Sequence, residues 1–196
     1  MALVLITTPE PARAELDELT LARAQRGEPS AWRALIERYQ GPVFALLSRM
    51  LAPAARRDLV EDLAQETFLR AFRALPGFDR GAPGRLSSWI LTIATRLALD
   101  ELRQRRPALD AVHAIDVQAA AAMRPDRRLL AEAVARAVAQ LSADHRAVIL
   151  LREVHGLSYD EIAAALEISP GTVRSRLSRA RDELRAQLAE DHDDRR

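Results

Sequence analysis

The chain has 196 residues, of which 48% are hydrophobic and 29% charged, the balance of a soluble globular protein. Its 29 basic residues, every one an arginine, face 28 acidic ones for a net charge of +1, so a nucleic-acid surface could come only from local segregation of charge. The absence of cysteine excludes a disulfide scaffold, a thiolate zinc site and a cysteine nucleophile, and the absence of lysine excludes a Schiff-base lysine and a P-loop lysine. No apolar run approaches the ~20 residues of a membrane span. The apolar start at residues 1–6 lacks a basic n-region, so a cytoplasmic protein is expected.

Alanine, leucine and arginine dominate, all good helix formers, and no sustained two-residue alternation occurs, so an all-α fold is expected. Residues 1–15 form an extension without an assigned role. A first helix is expected from about Leu16 to a stop at Gly27. Ser30 is the expected N-cap of a second, with Trp32, Leu35, Ile36, Tyr39, Val43, Phe44 and Leu47 as one apolar stripe and Pro42 as a possible kink. A third runs from Arg57 and Asp58 to about Leu75, with Leu59, Val60, Leu63, Ala64, Phe68, Ala71 and Phe72 inward. Residues 76–85, with three glycines and two prolines, read as a loop. Ser88 is the expected cap of a fourth helix that turns Trp89, Ile90, Ile93, Leu97 and Leu102 inward and ends near residue 106.

Residues 107–125 have little amphipathic order and read as a linker. Seven of the eight aromatic residues precede it and only Tyr159 follows, which sets an aromatic-cored domain at 16–106 beside an aliphatic one at 126–188. In the second, a helix over 126–140 carries Leu130, Val134, Ala137, Val138 and Leu141. Ser142 caps the next, with Ala147, Leu150, Leu151 and Val154 buried and Gly156 as its stop. The charged tail, 189–196, is expected to fray.

The most specific local pattern is LSYDEIAAALEISPGTVRSRL at 157–177, a helix-turn-helix. Ser158 and Glu161 make a capping box. Ile162, Ala163 and Leu166 face inward, Ile168 plugs the turn, Ser169 caps the second helix, and Pro170 takes its first position, where a missing N–H costs nothing. Val173 and Leu177 then point inward, leaving Thr172, Arg174, Ser175, Arg176, Ser178 and Arg179 for duplex DNA. Guanidinium forks near a helix N-terminus suit guanine edges in the major groove, and further arginines suit phosphates. Glu167 stands at a turn position often held by glycine, which calls for a looser turn or an unusual backbone conformation.

Two features of the first half add to this. Asp58, Glu61, Asp62, Gln65 and Glu66 form an acidic ridge on the third helix, either an ordinary solvated face or a dock for a basic protein. From Arg80 to Arg106 six arginines oppose only Asp100 and Glu101, either a solvated basic face or a surface for phosphates and splayed bases.

The runs SAWRALIERY (30–39), DLAQETFLRAF (62–72) and SSWILTIATRLALD (87–100) resemble region 2 of bacterial sigma factors, most closely the extracytoplasmic-function (ECF) class. Residues 127–188, with GTVRSRLSRAR at 171–181, are similar to region 4. The resemblance implies a dissociable specificity subunit of RNA polymerase with two helical domains, no cofactor and no catalysis of its own. It implies that Asp58, Asp62, Gln65 and Glu66 dock on the coiled coil of the largest polymerase subunit. It implies that the loop after them, with Arg80, Arg85, Ser87, Ser88, Trp89, Arg96 and Arg103, reads and melts the minus-ten element, while region 4 reads the minus-thirty-five element and meets the polymerase flap. It also implies an anti-sigma partner and a one-to-one complex in place of self-association. The family usually has an aromatic residue where Leu86 stands and often asparagine where Arg96 stands.

A one-component helix-turn-helix regulator is the alternative; it would need a ligand pocket or a dimer helix and would bind duplex DNA unaided. An enzyme finds no support: His113, His145, His155 and His192 fall in no metal-ligand spacing, and no glycine-rich phosphate loop or serine elbow occurs. His145 and His155 read as surface or helix-end residues.

Overall fold

The computed structural model describes residues 15–52, 57–79, 85–104 and 125–193, with side chains in the last segment from 128 to 189. Arg80, His113 and nearly all of the expected linker lie outside the described residues. Among those described, all regular structure is helical: α1 (Glu18–Gln25), α2 (Pro29–Met50), α3 (Arg57–Ala74), a 3-10 turn (Leu75–Gly77), α4 (Leu86–Gln104), α5 (Pro125–Gln140), α6 (Ala143–Ile149), α7 (Tyr159–Leu166) and α8 (Pro170–Asp193). None of these is long and apolar enough to cross a membrane.

The element boundaries follow from caps. Asp17 starts α1 by accepting the Thr20 N–H (2.9 Å), and Gly27 ends it at φ +80°, a conformation that suits a residue without Cβ. Glu28, not Ser30, precedes α2: Pro29 at its first position makes an earlier start cheap, and Ser30 instead accepts a bond from Arg23 (3.2 Å). α2 then runs on through Pro42 to Met50. Ser88 likewise lies inside α4 and not at its cap. Its hydroxyl accepts the Arg85 N–H (3.2 Å), which makes it the reciprocal partner of a start at Arg85. Ser142 does cap α6, accepting from His145 N–H (3.2 Å). From Leu150 the helix widens into a π turn through Val154, and Gly156 leaves it at φ +70°. α8 continues to Asp193, so the helix extends into the segment expected to fray.

In the first half α2 packs on α1, α3 and α4 around Trp32, Leu35, Tyr39, Leu46, Leu47 and Ile90. Tyr39 is buried, and its hydroxyl donates to Glu15 (3.2 Å) while accepting the Leu16 N–H (3.2 Å). In the second half α8 packs against α5, α6 and α7 over an aliphatic core of Val134, Val138, Leu150, Leu151, Val173 and Leu177. Four residues expected inside are half exposed instead: Ile36, Phe44, Phe72 and Leu130. Each falls on the edge of its stripe, where helical spacing alone does not separate core from rim.

The halves pack together into one continuous core, α4 against α6 and α7, and α2 against α5 and α6. At their junction is a buried guanidinium, Arg146 of α6. It donates to the carbonyls of Val138 (3.1 Å), Ala139 (2.6 Å) and Leu141 (2.7 Å) at the end of α5, and to Met50 (2.5 Å) at the end of α2. Helix ends leave orphan carbonyls, and one charged fork satisfies two such ends. Burial lowers its pKa to about 10, so it stays charged at neutral pH. Arg146→Met should therefore lose about 3 kcal/mol of stability in denaturant unfolding, because four buried carbonyls lose their donor.

His155, expected as a surface or helix-end residue, does stand at a helix end, the C-cap of the π turn, with its Nε2 buried and unpartnered. Desolvation, helped by the charge of Arg49, lowers its pKa to about 3. The unfolded chain thus binds a proton there first, and the stabilisation present above about pH 6.5 falls by about 1.4 kcal/mol per unit as the pH drops toward 3. Unfolding at pH 5 should cost about 2 kcal/mol less than at pH 7, and His155→Phe should flatten that profile.

Candidate nucleic-acid and polymerase interfaces

The helix-turn-helix is assembled as its caps dictate. Ser158 accepts the Glu161 N–H (3.1 Å) and Glu161 accepts the Ser158 N–H (2.7 Å), closing the capping box that starts α7. Glu167 ends α7 in the left-handed region (φ 56°, ψ 43°), so the turn stays tight and the residue takes the unusual backbone conformation. Its N–H and that of Ile168 (3.1 Å) both reach the Ala163 carbonyl. Ser169 then accepts the Thr172 N–H (3.1 Å) and starts α8 with Pro170 in the first turn. Ile162, Ala163, Val173 and Leu177 are buried between the helices, fixing the angle at which α8 is presented.

Arg174, Ser175, Ser178 and Arg179 are exposed together on the N-terminal half of α8, and Thr172 is half buried beside them. This face carries two forked cations and small hydroxyls, the side chains that bond guanine edges and phosphates. Arg176 departs from the group: it turns back onto Asp144 of α6 (2.9 Å). Arg181 does the same toward Glu153 (2.6 Å). These two arginines brace the domain.

The ridge on α3 differs from the sequence reading. Glu61 pairs with Arg57 (2.9 Å) and Glu66 with Arg70 (2.7 Å), so two of its carboxylates are neutralised along the helix. Asp58, Asp62 and Gln65 are exposed and continue, at helical spacing, into exposed Leu69 and Phe72. Gln65, Leu69 and Phe72, together with Trp32, Ile36 and Phe68, line a groove of about 730 Å³ between α2 and α3, while Asp58 and Asp62 lie further along α3 outside its lining. Phe72 stacks on Trp32 with ring centroids 4.9 Å apart, which holds the groove wall in place. The groove is lined mainly by apolar side chains, a surface whose chemistry suits a protein partner. Sequence reasoning placed Ile36 and Phe72 in the core; the spacing that betrays the groove is the i, i+4, i+7, i+11, i+14 stripe from Asp58 to Phe72, polar at one end and apolar at the other.

The remaining residues gather at the first turn of α4. Trp89 is half buried against Phe78, centroids 5.1 Å apart. Ser87 is bound through its hydroxyl and its N–H (3.3 Å) by Glu15. Ser88 donates to Glu161 of α7 (2.6 Å), and Arg85 reaches both Glu161 (3.5 Å) and the Gly156 carbonyl (3.4 Å). Arg96 donates to the carbonyls of Ala164 (3.0 Å) and Ala165 (2.8 Å) and pairs with Glu167 (3.1 Å). Arg103 stays exposed beside Asp100 (3.4 Å). Burial alone would raise the Glu161 carboxyl, but the bonds from Ser88 and Ser158 and the charge of Arg85 carry it below the usual carboxylate range. Two carboxylates, those of Glu15 and Glu161, thus lie against this turn.

A helical chain that pairs a helix-turn-helix with an aromatic-cored bundle carrying an exposed protein-docking groove is a DNA-binding transcription protein with a second protein partner. Residues 35–108 match the Sigma-70 region 2 model and residues 131–184 the Sigma-70, region 4 model. The chain is 36% identical over 181 residues to the ECF RNA polymerase sigma-E factor of Escherichia coli K12, covering 86% of this chain and 92% of that one. It is 35% identical over 183 residues to the RNA polymerase sigma-H factor of Pseudomonas aeruginosa, covering 87% and 92%. Among solved structures it is similar to CnrH in complex with the cytosolic domain of CnrY (TM-score 0.64, 30% identity, 89% of this chain and 98% of that one). It is similar also to the sigma factor RpoE in complex with the anti-sigma factor NepR from Bartonella quintana (TM-score 0.60, 25% identity, 80% and 98%). The chain belongs to the ECF sigma factors of the sigma-70 family.

Proposed function

We propose that this protein is an alternative sigma factor that binds core RNA polymerase and directs promoter-specific initiation, with its reading and docking residues assigned as follows. The groove beside Gln65, with Asp58, Asp62 and Glu66 along its helix, takes the coiled coil of the largest polymerase subunit. The loop after α3 and the first turn of α4, with Arg80, Arg85, Ser87, Ser88, Trp89, Arg96 and Arg103, take the minus-ten strand. The exposed face of α8 reads the minus-thirty-five duplex through Arg174, Ser175, Ser178 and Arg179, with Thr172 and Arg176 at its edge, and region 4 also meets the polymerase flap. Residues 16–106 and 126–188 act as the two working domains, joined through 107–125. The protein works in the cytoplasm, has no turnover of its own and is held in check by an anti-sigma partner.

The observation that carries this reading is the exposed apolar groove in the same chain as an exposed recognition helix: one surface suits a protein, the other a duplex.

Competition with a housekeeping sigma factor for core polymerase tests the dock. Phe72→Arg should weaken core binding about tenfold or more, because a charge enters the apolar wall, while Phe44→Arg, also exposed, on α2 but outside the groove lining, should not. Arg174 is exposed, so Arg174→Ala should leave the melting temperature unchanged. It should lower run-off transcription from a cognate promoter about tenfold, as expected for losing one guanine or phosphate contact.

A further inference from the structure

Both faces meant for DNA are arginine-bearing, yet they are in opposite states. On α8, Arg174, Ser175, Ser178 and Arg179 stand open to solvent. On α4, Arg85, Ser88 and Arg96 are engaged by the helix-turn-helix itself. The engagement has two parts. One oxygen of Glu161 closes the capping box of α7, while the other accepts the Ser88 hydroxyl (2.6 Å) and pairs with Arg85 (3.5 Å). Arg96, about two turns beyond Ser88 along α4, caps the last carbonyls of α7 at Ala164 and Ala165 and pairs with Glu167 at 3.1 Å.

The second part joins Arg96 to Glu167, the residue that ends α7. Glu167 accepts the strain of a left-handed backbone (φ 56°), and its carboxylate is aimed at the Arg96 guanidinium. A shorter asparagine could not reach two carbonyls and a carboxylate together, and a glycine would offer no charge. Glu15 completes the cover by binding Ser87 in the same turn.

Carboxylates therefore fill the positions where backbone phosphates of a bound strand would lie. We propose that region 4 is a latch on region 2: in the free chain Glu161 and Glu167 occupy the anion positions at Arg85, Ser88 and Arg96, so the minus-ten surface is masked until region 4 is drawn away. This rests on the sigma-factor reading and adds that the chain restrains itself without another protein. The recognition helix, left exposed, remains free to meet duplex DNA or a polymerase surface first, and capture of region 4 there uncovers the strand-binding turn. Opening exchanges each internal carboxylate for a phosphate, but it also parts the shared core and the Arg146 bond to Met50, so capture of region 4 by its partner must supply free energy beyond that exchange.

The test compares the full chain with its Glu161→Gln/Glu167→Gly variant. Glutamine keeps the capping box but removes the charge; glycine removes the carboxylate and relieves the backbone. Neither residue is assigned a DNA contact. Because the protein has no cysteine, Leu19→Cys and Ala186→Cys, both exposed and on opposite halves, accept a pair of dyes cleanly. Energy transfer should fall in the variant. Affinity for a fluorescent oligo(dT) of about 12 nucleotides, which probes the strand surface without a known promoter, should rise about fivefold or more. Unchanged transfer, or equal oligonucleotide binding by the two proteins, would overturn the latch. Should the double variant fail to fold by circular dichroism, Glu167→Gly alone leaves the capping box intact and must show the same direction of change. Core-polymerase binding is read in parallel. If neither protein binds core while the variant still opens and gains oligonucleotide, the latch stands and the sigma assignment of the groove falls.

Discussion

A single buried cation holds the two halves of this protein in register. Arg146 reaches the carbonyl ends of α2 and α5 with four hydrogen bonds, and of those carbonyls Val138 also accepts the Leu141 N–H. A charge is expensive to bury, and this one is tolerated because its partners are fixed dipoles already pointing toward it. A neutral side chain at that position would leave carbonyls stranded. The helix-turn-helix can be presented to α4 at one angle only because α6 is pinned in this way.

From that anchor the arrangement of the surfaces follows. α7 and α4 are brought face to face, and the polar groups along the seam find each other: serine and arginine on one side, carboxylates and helix-end carbonyls on the other. The seam ties itself through charge-assisted bonds that a phosphate backbone could also make. The apolar groove between α2 and α3 faces no helix of the chain itself among the described residues, and its ring pair, Trp32 on Phe72, keeps it formed. Docking surface and reading surface are thereby separated, so one can be engaged while the other is still covered.

Local rules made much of this legible. The capping box at Ser158 and Glu161, the proline at α8's first position, the Ser142 cap and the positive-φ glycines at 27 and 156 all stand where the residue types place them. Each of these depends on neighbours within four positions. The misplacements share one origin. Ser30 and Ser88 are good cap residues, but an adjacent proline moved one start and a long-range bond to Glu161 engaged the other. Ile36 and Phe72 have core spacing and core chemistry, yet no helix among the described residues covers them. His155 carries no sequence mark of burial; the packing of a π turn enclosed it.

The amino-acid sequence by itself determined the helices, their order, the helix-turn-helix and the exposed arginines of α8, because periodicity, caps and turn residues act over a few bonds. It determined the family as well, through four blocks of matching residues in the right order. Only the tertiary structure decided which arginines are free to meet DNA and which are spent on the protein. Arg176 and Arg181 brace their own domain, Arg96 and Arg85 bind the other half, and Arg146 is buried between them. A guanidinium looks the same in every one of these positions along the chain. What distinguishes them is the location of carboxylates and helix-end carbonyls up to 96 residues away, and that is set by packing alone.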